Sequence, residues 1–222
     1  MTSGLETSNK MRTTIAIATI SLLLGLVLLA GACQKASPTP APAPISPPAP
    51  SPTPPPTSPV PSPISTWKAD GIISPGEYTK SKNFGNYELN WSSDGQNIYI
   101  GIKAKTTGWV ALGIQPGSRM KGADIIIGYV QDGKATVADH FSAGDFGPHK
   151  ADAEFGGVDN ILEFGGKEEG EYTTIEFKRA LNTGDKFDHP LSRGLDDIIW
   201  AYGSGDQPTL KHVNRGYGEI DL

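Results

Sequence analysis

Apolar and polar positions alternate with a period of two through most of the chain beyond Ser65, and each such run predicts a strand with one buried face. Tyr87-Glu88-Leu89-Asn90-Trp91 alternates, Asp94-Gly95 turns the chain, and Asn97 to Ala104 alternates again, which predicts a hairpin. Gly108 to Ile114 makes a third strand, closed by Gln115-Pro116-Gly117. Asp124 to Val130, the turn Gln131-Asp132-Gly133-Lys134, and Ala135 to Phe141 form a second hairpin. Further strands are expected at Ile161 to Phe164, Glu171 to Phe177 and Asp197 to Gly203. Only Phe177 to Asn182 hints at a helical turn. Many short strands separated by Gly- and Asp-rich turns imply an all-β fold, an antiparallel β-sandwich.

The N-terminal part reads differently. Thr13 to Ala30 is an almost uninterrupted apolar run behind Lys10 and Arg12, the pattern of an export signal, and it is about long enough to span a bilayer as a helix. Leu29-Ala30-Gly31-Ala32-Cys33 resembles a bacterial-type lipobox with the leucine one place further upstream, so Cys33 is the candidate lipidation site. Residues 1–33 are therefore expected to be a lipoprotein signal or a membrane anchor. Residues 34–64 are a linker whose tract rich in Pro, Ala, Ser and Thr, from Ala36 to Pro63, would be stretched to roughly 85 Å by polyproline-type extension at about 3.1 Å per residue. Residues 65–222 are the size of one domain with its own core. Both N-terminal readings tether this domain, extracytoplasmic, to a membrane.

Charge and motifs narrow the function. The net charge is −5 with no basic stripe, which argues against nucleic acid as a partner. Cys33 is the only cysteine, so intramolecular disulfides, thiolate metal clusters and covalent haem attachment through paired cysteines are excluded within this chain. No Gly-x-Ser-x-Gly, His-Glu-x-x-His, phosphate-binding or dinucleotide-binding motif occurs, and nothing points to catalysis by the chain alone. Two residues do carry candidate chemistry. Beyond the leader the single methionine is Met120, in a turn-like segment, and His212 stands near the end of the chain. A thioether and an imidazole meeting across a flat cofactor would be the two axial ligands of a six-coordinate haem; a methionine is otherwise a gap filler.

The order of landmarks resembles the DOMON domain family: Asp70-Gly71-Ile72-Ile73 with Glu77-Tyr78, the Tyr87 to Ala104 hairpin, Gly108 to Gly113, Met120 with Gly122-Ala123-Asp124, then Ile199 to Gly203 followed by His212. The resemblance implies a β-sandwich and, for haem-binding members, a non-covalent haem b between the residues matching Met120 and His212, while other members are thought to bind sugars. Trp109, Leu112, Ile114, Ile125 and Tyr202 are the expected walls of the haem slot. On this reading the domain passes single electrons to a redox partner protein such as a membrane cytochrome, the stalk raising the local concentration of the pair. The alternative is a surface carbohydrate-binding module, with Trp67, Trp91, Trp109 and Trp200 as stacking platforms. A third reading takes His140, His149, Asp139, Asp145 and Asp152 as a metal site, although the spacing matches no standard zinc pattern; this loop otherwise covers the cofactor or shapes a docking surface. His140 or His149 can also replace His212 as ligand, and His189 reads as a turn residue.

Overall fold

The computed structural model describes residues 67–222, so the expectations for the leader, for Cys33 and for the linker lie outside the described residues. The strands are β1 (Lys80–Asn83), β2 (Tyr87–Ser93), β3 (Asn97–Ala104), β4 (Val110–Ile114), β5 (Asp124–Gln131), β6 (Lys134–Phe141), β7 (Lys150–Ala151), β8 (Ile161–Glu169), β9 (Tyr172–Ala180), β10 (Leu195–Tyr202) and β11 (Asn214–Asp221), with one 3₁₀ turn at Asp152–Phe155. They form two antiparallel sheets. The first runs β1-β2-β3-β9-β8 and the second β11-β10-β4-β5-β6-β7. The expected β-sandwich is present.

The hairpins follow their turn chemistry. Asp94 Oδ1 accepts from the backbone N of Gln96 at 2.8 Å and of Asn97 at 2.7 Å, locking the β2–β3 turn. Asp132 and Gly133 both have positive φ, 51° and 71°, the mirror-image turn whose twist suits a two-residue hairpin between β5 and β6. The core lies between the sheets and is built from one face of each strand: Leu89, Ile98, Ile100 and Ile102 meet Leu112, Ile114, Ile126 and Ile198. Trp200 stacks on Tyr87 with ring centroids 5.0 Å apart.

Two elements depart from the sequence expectation. The helical turn over Phe177 to Asn182 is instead the end of β9, which pairs along its length with β3 on one side and β8 on the other. Two ladders of backbone hydrogen bonds outweigh a weak local helical preference. Strand β11 carries no apolar alternation because its inward positions are Gly216 and Gly218, over which Trp200 and Phe84 lie so closely that a Cβ would collide with either ring. The pattern is intact, with glycine written where the neighbour supplies the bulk.

Residues 67–79 form a strap across the outer face of the first sheet. Buried Glu176 on β9 anchors it, accepting from the backbone N of Asp70 at 3.1 Å, Gly71 at 2.7 Å and Ile72 at 3.2 Å and from Tyr78 Oη at 2.7 Å. Glu77, also buried, accepts from Lys68 N and Ser74 N. Gly101 and Gly165 let the strap approach, since a Cβ there would strike Tyr78 and Ala69. Glu176→Ala leaves Asp70 N, Gly71 N and the Tyr78 hydroxyl without their acceptor, Ile72 N keeping Asp70 Oδ1, and should lower unfolding free energy by at least about 1.5–3 kcal/mol. Tyr78→Phe, which removes one donor to Glu176 and the acceptor of Trp67 Nε1–H, should lower it by about 1 kcal/mol. Urea unfolding of the two variants checks the ranking.

Candidate functional site

The outer face of the second sheet is apolar instead of polar. Because β4 alternates, Val110, Leu112 and Ile114 close the core while Trp109, Ala111 and Gly113 face the other way. On the same side stand Ile125 and Ile127 of β5 and Ile199 and Ala201 of β10, a second apolar cluster separate from the main core. The small residues Ala111, Gly113 and Ala201 leave the middle of this surface low. Three loops rise around it: the β4–β5 loop with Arg119 and Met120, the segment before β7 with Phe146 and His149, and the β10–β11 loop with Leu210 and His212. Together they enclose a predominantly apolar cavity of about 420 Å³, in the size range of small-molecule and cofactor sites.

A tight turn presents Met120. Lys121 N donates to Ser118 O at 2.9 Å, Ala123 N donates to Met120 O at 3.0 Å, and Arg119 takes the left-handed conformation at φ 55°. His189 braces this turn from beneath, its Nε2–H donating to Gly122 O at 2.6 Å. The histidine read as a turn residue is thus a strut under the methionine loop. His212, half-buried, follows β10 through a segment tied back by Val213 N donating to Tyr202 O at 2.9 Å. Burial, followed by the positive charges of Arg215 and Lys211, holds its imidazole below the usual histidine range, which keeps a nitrogen lone pair available at neutral pH. Arg119, Lys211 and Arg215 bring three cations to the cavity rim, and the Arg119 guanidinium lies 4.4 Å from the centre of the Phe146 ring. Buried Trp109 has no partner for its Nε1–H.

Four of the residues singled out from sequence, Met120, His212, Trp109 and Ile125, border this one cavity. Leu112, Ile114 and Tyr202 do not face it. They point between the sheets, where Leu112 and Ile114 are fully buried and the Tyr202 hydroxyl accepts from Asn214 Nδ2 at 3.2 Å. The correction is one of parity: a slot wall on β4 must share the face of Trp109, which assigns Ala111 and Gly113, and on β10 it assigns Ile199 and Ala201. Those small residues were missed because they make room instead of bulk. Of the four tryptophans, Trp91, Trp109 and Trp200 are buried and Trp67 is half-buried, so they form no exposed row.

His149 also borders the cavity, and its Nδ1 lies 3.1 Å from Nδ1 of His140. Desolvation, with repulsion from His140, pushes His149 down to about 4, and desolvation lowers His140 as well. A histidine depressed in the fold binds fewer protons there than in the unfolded chain, so stability is full above about pH 6.5 and is lost as pH falls toward 4. Unfolding free energies measured between these limits should fall by up to about 3 kcal/mol more in the parent than in His149→Gln.

The sequence model of the DOMON domain matches residues 82–203. DBH-like monooxygenase protein 1 of Mus musculus is 33% identical over 142 residues, covering 62% of this chain and 22% of that protein. The Homo sapiens protein of the same name is 34% identical over the same length, with the same coverage. The chain thus spans about a fifth of the length of these relatives. Among solved structures, the cytochrome b domain of pyranose dehydrogenase from Coprinopsis cinerea aligns with a TM-score of 0.45 at 13% identity, over 61% of this chain and 75% of that one. The cytochrome domain of Myriococcum thermophilum cellobiose dehydrogenase aligns with the same score and identity, over 61% and 74%. With more than half its length matched by that model, the chain belongs to the DOMON domain family.

Proposed function

We propose that the cavity on the outer face of the second sheet holds one non-covalent haem b between Met120 and His212, and that the domain serves one-electron transfer. The observation that carries this reading is that the thioether and a neutral imidazole, from loops far apart in sequence, border a single apolar cavity. The surroundings fit the group. Ala111, Gly113 and Ala201 leave space for a flat ring, Ile125 and Ile199 supply apolar contact, and Arg119, Lys211 and Arg215 at the rim match the two carboxylates such a ring carries. When bound, a haem ligated by methionine and histidine supplies a single-electron couple with no vacant coordination position.

The residues of the chain divide the remaining work. Met120 offers a soft sulfur that favours the reduced metal, and His212 offers nitrogen without first losing a proton. Phe146, Pro148 and His149 keep water from one side of the cavity while the rim stays open. We place the domain outside the cytoplasmic membrane, tethered through Cys33 lipidation or the apolar 13–30 segment, where the Pro-rich linker lets it meet a membrane cytochrome or another redox protein. The burial of three tryptophans favours haem over a stacked sugar as the ligand. The matched region is only 22% of the Mus musculus DBH-like monooxygenase protein 1, too small a share to extend that protein's chemistry to this chain.

Absorption spectra of the full chain titrated with haemin test the reading. Saturable binding with sharp low-spin bands on reduction is expected, with conversion to high spin or loss of binding in Met120→Ala and in His212→Ala. Both side chains lie outside the core between the sheets, so urea unfolding of the haem-free variants should stay within about 1 kcal/mol of the parent. Absence of saturable haem binding by the parent overturns the proposal. Ala201→Phe, which raises the cavity floor, should weaken binding without altering either ligand.

A further inference from the structure

A second feature adjoins the start of β5, directly after the loop that carries Met120 and on the core side of the sheet instead of the cavity side. Asp124 opens β5, Asp139 lies on β6, Asp152 begins the 3₁₀ turn, and Asp188 lies between β9 and β10; all four are buried. One carboxylate oxygen from each of Asp124, Asp139 and Asp188 lies within 4.8 Å of the other two. Oxygens on opposite sides of a Ca²⁺, each at about 2.4 Å, stand about 4.8 Å apart. Arg179 pairs with Asp124, Nη1 to Oδ2 at 2.6 Å, and among the described residues no other lysine or arginine forms an ion pair with the four. Four carboxylates against one guanidinium leave a formal charge of −3 in a space closed to solvent, which is not tolerable without protons or a further cation.

The polar atoms around the group point the same way. Asp152, outside the close trio, is 1% exposed; its carboxyl faces that of Asp188, and neither of its oxygens has a hydrogen-bond partner. Asp124 Oδ1, Asp139 Oδ1 and Asp188 Oδ1 are likewise unpartnered. Asn160 donates its backbone N to Asp139 Oδ2 at 3.2 Å, and one terminal atom of its amide sits 3.1 Å from both Asp188 Oδ2 and Val158 O. Because both neighbours are acceptors, the amide nitrogen takes that position and donates to both, which leaves Asp188 Oδ1 as the unpartnered oxygen of that carboxylate. Without a cation, burial and mutual repulsion push Asp139 up to about 8 and Asp152 up to about 7.

We propose that Asp139 and Asp188, whose oxygens converge, together with the unpartnered Asp152 carboxylate facing Asp188, bind a divalent cation, Ca²⁺ in preference to Mg²⁺, beside the Asp124–Arg179 pair. The donor set is all oxygen, which suits a hard ion and not zinc or copper. Its members come from separate segments with no regular spacing, which suits the flexible coordination of Ca²⁺ better than the near-octahedral demand of Mg²⁺. The ion would fasten Asp152 at the end of the segment that carries Phe146 and His149, so this site supports the cavity wall as well as the fold.

Thermal unfolding of the full chain after EDTA, then with CaCl₂ or MgCl₂ added, tests the site. The midpoint should rise by about 5 °C or more in 1 mM Ca²⁺ and by less in Mg²⁺, and calorimetric titration should show proton release on Ca²⁺ binding. Asp152→Asn and Asp188→Asn should each weaken Ca²⁺ binding at least about tenfold, while Glu154→Gln, a neighbouring exposed carboxylate, leaves it unchanged. Coincident midpoints with EDTA and with Ca²⁺ overturn the proposal, and a midpoint raised by Asp139→Asn in EDTA together with no Ca²⁺ response assigns the cluster to protons. None of these readings depends on haem.

Discussion

Successive side chains of a strand point to opposite faces, and in the second sheet both faces are committed. Every residue that closes the core, such as Leu112 or Ile198, forces its neighbours onto the outside, and there Ala111, Gly113, Ile199 and Ala201 build an apolar floor that the core does not need. A sheet in a sandwich ordinarily turns polar residues to water on its outer side. The departure from that rule is what creates the cavity, and the loops that bear Met120 and His212 only complete walls whose position the strand register has set.

That register also explains which parts of the molecule were legible in the sequence. Asp94-Gly95 and Asp132-Gly133 mark their hairpins because each turn needs a side-chain acceptor or a positive φ at a defined position. Trp109 and Ile125 are large, so their part in a slot could be read directly. Leu112 and Tyr202 are equally large but sit on the other face, and only the parity of neighbouring strands separates the two groups. Strand β11 was hidden because Trp200 and Phe84 fill the volume above Gly216 and Gly218, a fact written in residues far from it in the chain. The carboxylates Asp124, Asp139, Asp152 and Asp188 are spread over β5, β6, the 3₁₀ turn and the β9–β10 connection, and no local spacing announces that they come near one another.

Charge is distributed with the same division of labour. The chain is acidic overall, yet the cavity rim gathers Arg119, Lys211 and Arg215, and the buried acidic group stands apart with Arg179. The first sheet uses charge in a third way: Glu176 is buried under the strap and turned toward backbone donors instead of a cation. A carboxylate in a dry site requires something positive or hydrogen-bearing nearby: the Arg179 guanidinium meets this need for Asp124, and peptide N–H groups meet it for Glu176.

The separation of the cavity from the main core has a bearing on how the molecule matures. Since Tyr87, Leu112 and Trp200 interlock through the chain's own side chains, the polypeptide can reach its final shape first, and whatever the cavity takes up would be loaded last. The same independence means that a change of occupant would leave the framework unaltered.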